Sequence, residues 1–149
     1  MGSFFPTRSR ATSHAERMRI VKLFEQAIAE RDLEAIALLT PDDITALDTT
    51  SSAIHGRDAF IEALEGLFSD RPGVRPDFRN FVSQNGGLLV SGFVLGPGEA
   101  MRLSSLWRIE FEGPLIAMIQ SFRKDNRLSL PSLHARRALA LPKMRPPHP

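Results

Sequence analysis

Neither cysteine nor tyrosine occurs in the 149 residues, and tryptophan occurs once. The lack of cysteine rules out disulfides, thiolate nucleophiles and Cys-ligated metal sites, and it permits a reducing compartment. The four histidines, His14, His55, His134 and His148, fall at no recognised metal-site spacing from one another or from a carboxylate. No metal and no other cofactor is therefore expected. Long apolar runs are missing too: none has the length of a signal-peptide core or a membrane span, which points to a cytoplasmic protein with no membrane partner. Gly2 sits where an N-myristoyl group would be attached, but Pro6 stands where that motif needs Ser or Thr.

Acidic residues are absent from both ends of the chain. The formal net charge is +2, yet Arg8, Arg10, Arg127, Arg136, Arg137, Lys143 and Arg145 lie outside the stretch from Ser13 to Asn126. Removing these seven from the 19 Lys and Arg leaves 12 bases against 17 acids in the body, a net of −5. A mildly acidic body argues against phosphate binding, so no nucleic-acid partner is expected. At 42% hydrophobic and 24% charged, the chain suits one globular domain. We place it at residues 13–125, between an N-terminal arm over 1–12 and a basic, proline-rich tail over 126–149 that composition marks as mobile.

Ser13 followed by Glu16 forms a capping box, and Ile20, Val21, Phe24, Ala27 and Ile28 then recur at helical spacing. Asp32 caps a second, short helix with Leu33, Ile36, Ala37 and Leu39 apolar, which Pro41 closes. Ile44 to Leu47 is a short β-prone run ending at Asp48, and Thr49 to Ala53 reads as a turn. Gly56 opens a third helix with a stripe of Phe60, Ile61, Leu64, Leu67 and Phe68, ended by Pro72 and Gly73. From Val74 the pattern changes. Asn85-Gly86-Gly87, Gly96-Pro97-Gly98 and Gly113-Pro114 separate four runs, and such short links join antiparallel neighbours. In the third run Met101, Leu103, Ser105, Trp107, Ile109 and Phe111 alternate with Arg102, Ser104, Leu106, Arg108 and Glu110, so one face is core and the other largely polar. The result is an α+β domain in which three N-terminal helices pack on the concave face of a curved antiparallel sheet, forming a cup.

This order of elements, with DLEAI, the pair Asp42 and Asp43, Thr45, Asp48 and the HGRDAF helix start, resembles the nuclear transport factor two-like cone fold. The SnoaL-like cyclase and ketosteroid isomerase branches are the most similar, over roughly Ser13 to Lys124. The resemblance implies a small apolar molecule in the cone cavity, a homodimer through the sheet, and Asp48 in the place of a general base. In ketosteroid isomerases that base works with an oxyanion hole built from a tyrosine and a protonated aspartic acid. Here Phe24 stands at the tyrosine's place and Ser105 or Trp107 at the acid's, so steroid isomerisation by that route is not supported.

Two readings follow. In the first, Asp48, its pKa raised by apolar walls, removes a proton beside a carbonyl in a cofactor-independent lyase, isomerase or cyclase, with Phe24, Phe60, Leu64, Leu103, Ser105 and Trp107 around the ligand. In the second, the same cavity serves a non-catalytic ligand-binding or protein-interaction domain. Asp48 has an alternative local role, capping the turn after its strand. His55, beside Gly56, is expected at the surface; Arg57 and Asp58 are expected as a solvated pair. Leu106 interrupts the polar outer face and marks the dimer contact.

Overall fold

The computed structural model describes residues 13–49, 52–98, 102–122, 130–131 and 134–135. The arm over 1–12, Met101 and most of the tail, including Leu133, Leu139 and Leu141, lie outside the described residues.

Helix α1, His14–Ala29, begins at the expected capping box: the Glu16 N–H donates to Ser13 Oγ (3.2 Å) and the Ser13 N–H donates to Glu16 Oε1 (3.0 Å). Its buried residues are the five apolar positions of the pattern, from Ile20 to Ile28. Helix α2, Leu33–Leu38, starts where the Ala35 N–H donates to Asp32 Oδ1 at 3.1 Å. Strand β1 is Thr45–Leu47, strand β2 is Ala53–His55 and helix α3 is Arg57–Asp70. Four longer strands complete the chain: β3 Arg75–Gln84, β4 Gly87–Leu95, β5 Arg102–Glu112 and β6 Leu115–Phe122.

The expected meander is present, β3 to β6 pairing antiparallel in sequence order. The sheet is larger and mixed, with order β2-β1-β6-β5-β4-β3, because β1 joins β6 in parallel. Strand β2, absent from the expected elements and beginning at Ala53, where the sequence reads as the end of a turn, pairs antiparallel with β1 and buries Ile54 opposite Ala46. Three residues are too few to show an alternation. The helices lie on one face of the curved sheet. The core there joins Phe24, Ile36, Phe60 and Leu64 to Phe78, Leu88, Val90, Trp107, Ile109 and Ile116.

At the start of α3 one pairing differs from expectation, and Gly56 opens the helix as expected. Arg57 is paired with Asp42, not Asp58: its Nη2 lies 2.5 Å from Asp42 Oδ1 and its Nη1 donates to the Thr40 carbonyl at 3.0 Å. Gly56, at φ +92°, caps the helix with no side-chain bond, and its N–H donates to the Ile44 carbonyl at 2.8 Å. The loop after α2, β1 and the start of α3 are thereby tied together. His55 is exposed, as expected, at the end of β2.

A bulge at Arg79 shapes the concave face. Phe78 pairs with Gly92, and the next pairing joins Asn80 to Ser91. The bulge leaves Arg79 out of the ladder, and α1 bonds the backbone of the neighbouring Phe78. The Phe78 N–H donates to Glu25 Oε2 at 2.7 Å, and its carbonyl accepts from Lys22 Nζ at 3.1 Å. Gly92 permits the approach, since a Cβ there would lie 2.0 Å from the Asp77 carbonyl oxygen. A bulge kinks its strand and raises its twist. Here it sends the Phe78 ring inward, where it is 1% exposed.

Candidate functional site

Between the helices and the concave face lies a cavity of about 110 Å³. Helix α1 contributes Phe24 and Ile28, α3 contributes Phe60, Leu64 and Leu67, and the sheet contributes Ala46, Leu47, Phe78, Val94, Trp107, Ile119 and Ser121. Two aromatic pairs dominate the wall. Phe24 and Phe60 stack with centroids 6.3 Å apart and planes at 16°, and Phe78 meets Trp107 at 4.8 Å and 89°. Edge-to-face and offset pairs of this kind exceed their area burial in worth by about 0.5–1.5 kcal/mol.

Among the described residues the lining includes no carboxylate. The charged side chain among them is Arg75, which is exposed. The hydroxyl among them is that of Ser121. That residue is 7% exposed, and its Oγ is buried with no hydrogen-bond partner among the described residues. A buried hydroxyl left unpaired costs about 1–3 kcal/mol.

Of the residues expected around the ligand, Phe24, Phe60, Leu64 and Trp107 line this cavity. Leu103 does not: it is 37% exposed, near the open end of β5. Ser105 is buried on the inner face but is outside the lining. Asp48 is 2% exposed and is also outside the lining. It closes its own turn: the Ser52 N–H donates to Asp48 Oδ1 at 3.2 Å, and the Asp48 N–H donates to the Ser52 carbonyl at 3.1 Å. The local alternative for Asp48 thus has its bond in place. Asp48 directly follows β1, whose parallel pairing with β6 runs up to Leu47 and Gln120, and Leu47 and Ser121 both line the cavity.

Sequence reasoning missed several lining residues. Phe78 was hidden because the bulge replaces period-two alternation with Phe78 and Phe81 on one face. Ser121 carries no chemical signature, although alternation from Ile119 assigns it inward. Leu130 and Pro131 belong to the stretch taken as mobile tail, yet they are helical, Pro131 is buried, and both line the cavity. To that extent the tail begins on the body.

Among the described residues, no group of three His, Asp or Glu side chains is placed to hold a metal ion. No described helix is long and apolar enough to cross a membrane.

The model of the SnoaL-like domain family matches residues 20–119. Among curated proteins, none matches this chain. Solved structures share the fold. An epoxide hydrolase of the LEH-like type from M. tuberculosis is 17% identical, with a TM-score of 0.65 over 87% of this chain and 98% of that one. An NTF2-like protein from Burkholderia xenovorans LB400 is 21% identical, with a TM-score of 0.59 over 73% and 89%. A protein with a ketosteroid isomerase-like fold from Catenulispora acidiphila DSM 44928, in complex with trimethylamine, is 14% identical, with a TM-score of 0.60 over 68% and 82%.

Proposed function

The chain belongs to the SnoaL-like domain family, and from that premise we propose that it binds a small apolar molecule inside the cone. One observation carries this reading: among the described residues the cavity is walled by four aromatic side chains and no carboxylate, and Ser121 offers a hydroxyl with no partner there. Recognition sites for small molecules are typically concave and mostly apolar, with few polar groups that orient the ligand. Binding to the folded state alone raises its stability by about 2.7 kcal/mol at a ligand concentration near 100 Kd. Thermal melts against a panel of one-ring aromatic and alicyclic compounds test the reading. It requires at least one member to raise the melting temperature in a saturable way; a flat response across the panel overturns it.

Catalysis by Asp48 is the second reading, favoured by its burial and by its place directly after Leu47, a lining residue. In that reading Asp48 gives up the Ser52 N–H, turns to the cavity and accepts a proton from the carbon next to a carbonyl, while Ser121 hydrogen-bonds the enolate oxygen. That a protein described as an epoxide hydrolase has this fold is in keeping with the second reading. Exchange of solvent deuterium into enolisable one-ring ketones tests this step, and its absence in the parent protein leaves the binding reading standing alone.

For assembly we propose a homodimer through the outer face of the sheet. Half-buried Leu106 lies there between Ser91 and Phe122 in register. Sedimentation at micromolar concentration showing only monomer removes that proposal.

A further inference from the structure

We infer that the ligand is a neutral single-ring molecule bearing one hydrogen-bonding oxygen, and that the Ser121 hydroxyl holds that oxygen. This rests on the reading of the cavity as a binding site and adds its ligand class and polar anchor.

Size comes first. The cavity measures about 110 Å³, somewhat smaller than an engineered apolar cavity of roughly 150 Å³ that takes benzene. One six-membered ring fills it, and a fused four-ring skeleton does not fit within these walls. Shape is the second consideration. The nearly parallel Phe24 and Phe60 rings and the perpendicular Phe78 and Trp107 rings present flat apolar surfaces, suited to a flat or compact ring.

Polarity is the third consideration. Ser121 Oγ is buried, faces no partner among the described residues and belongs to a residue that lines the cavity. A hydroxyl both donates and accepts, so it serves a phenolic O–H and a ketone oxygen equally. Charge is disfavoured, because an ion in this interior would lose its hydration and the described lining residues set no oppositely charged side chain in the inner wall to replace it. Arg75, exposed at the rim, is reached only by a substituent that projects out of the cavity.

The chain supplies its own probe. Trp107 is the sole tryptophan, there is no tyrosine, and the indole lines the cavity, so intrinsic emission reports occupancy. The full-length protein is titrated with phenol and with toluene, which have one shape and differ by hydroxyl against methyl, and Ser121→Ala is titrated in parallel. Ser121→Ala is expected to weaken phenol roughly tenfold, the worth of one hydrogen bond, and to leave the toluene Kd within about twofold. Ser121→Thr, which keeps the hydroxyl, retains the parent's ratio of phenol to toluene affinity. Equal loss for both ligands in Ser121→Ala, or tighter binding of tetramethylammonium than of phenol by the parent, overturns the inference while leaving the cavity a binding site. If neither toluene nor phenol changes the emission of the parent, the binding reading itself fails and the inference with it.

Discussion

The edge of one aromatic ring meets the face of another where Phe78 and Trp107 stand 4.8 Å apart at 89°. Phe78 is there because β3 bulges at Arg79, and Trp107 because β5 alternates without interruption up to Glu110. Phe78→Ala should destabilise the protein by about 3–5 kcal/mol, the usual range for a buried phenylalanine, and shift Trp107 emission to longer wavelength. Urea unfolding monitored by that emission gives both numbers. A loss below about 1 kcal/mol would mean that the ring is not part of the wall.

The same bulge depends on Glu25. Its carboxylate accepts the Phe78 N–H at 2.7 Å and lies 3.3 Å from Lys22 Nζ. Charge-assisted bonds to backbone are worth about 1.5–3 kcal/mol. Glu25→Ala is therefore expected to cost about 2 kcal/mol and Glu25→Gln less, since the amide oxygen still accepts. Equal stability of the parent and the Ala variant in denaturant would show that the bulge holds itself.

For Asp48 the expected ordering of variants is definite. Its Oδ1 accepts the Ser52 N–H. Asp48→Ala removes that acceptor and should cost about 1–2 kcal/mol, whereas Asp48→Asn keeps an oxygen in place and costs less. Thermal melts near neutral pH measure both. Two variants that are each more stable than the parent would mean that the buried carboxylate is a strained charge, the property expected of a base, and would revive the catalytic reading.

Acid weakens the start of α1 in a predictable direction. The Ser13 backbone N–H, and then the Ser13 hydroxyl, hold the Glu16 carboxyl below its ordinary value of 4.5. A group whose folded pKa is depressed contributes stability that is complete above the unfolded value and lost as pH falls through the folded one. The stability difference between parent and Glu16→Gln should thus be complete near pH 7 and shrink as pH falls below 4.5 through the lowered folded value. A difference that stays constant or grows on acidification would contradict the capping geometry.

What was legible in the sequence follows the physics of each signal. The capping box at Ser13 and Glu16, the Asp32 cap and the alternation of β5 are local patterns whose spacing is fixed by backbone geometry; both caps stand as read, and the alternation holds from Ser105 to Glu110 while Leu103 is exposed. Trp107, Phe24, Phe60 and Leu64 were legible as the wall because they fall on apolar stripes that must face one core. Phe78 was not, because a bulge leaves no mark in composition and breaks the period on which the reading depends. Ser121 was not, because its importance comes from what surrounds it and not from its chemistry. Ser105 matched the same alternation but lies outside the lining, showing that an inward face and a cavity wall are different things. Leu130 and Pro131 were obscured by the proline-rich, basic stretch they begin, whose average polarity hid one apolar anchor.

The account turns on whether the space beneath Trp107 is a ligand site, and a cavity-filling variant addresses that most directly. Leu67 lines the cavity and is half-buried, so Leu67→Phe adds bulk where a ligand ring would sit. Trp107 emission is measured while toluene is titrated into the parent and into Leu67→Phe, with a melt confirming that the variant is folded. The account predicts a saturable change in the parent and at least a roughly tenfold weaker Kd in the variant, about 1.4 kcal/mol of lost binding. Identical titrations in the two proteins would place the ligand elsewhere and contradict it.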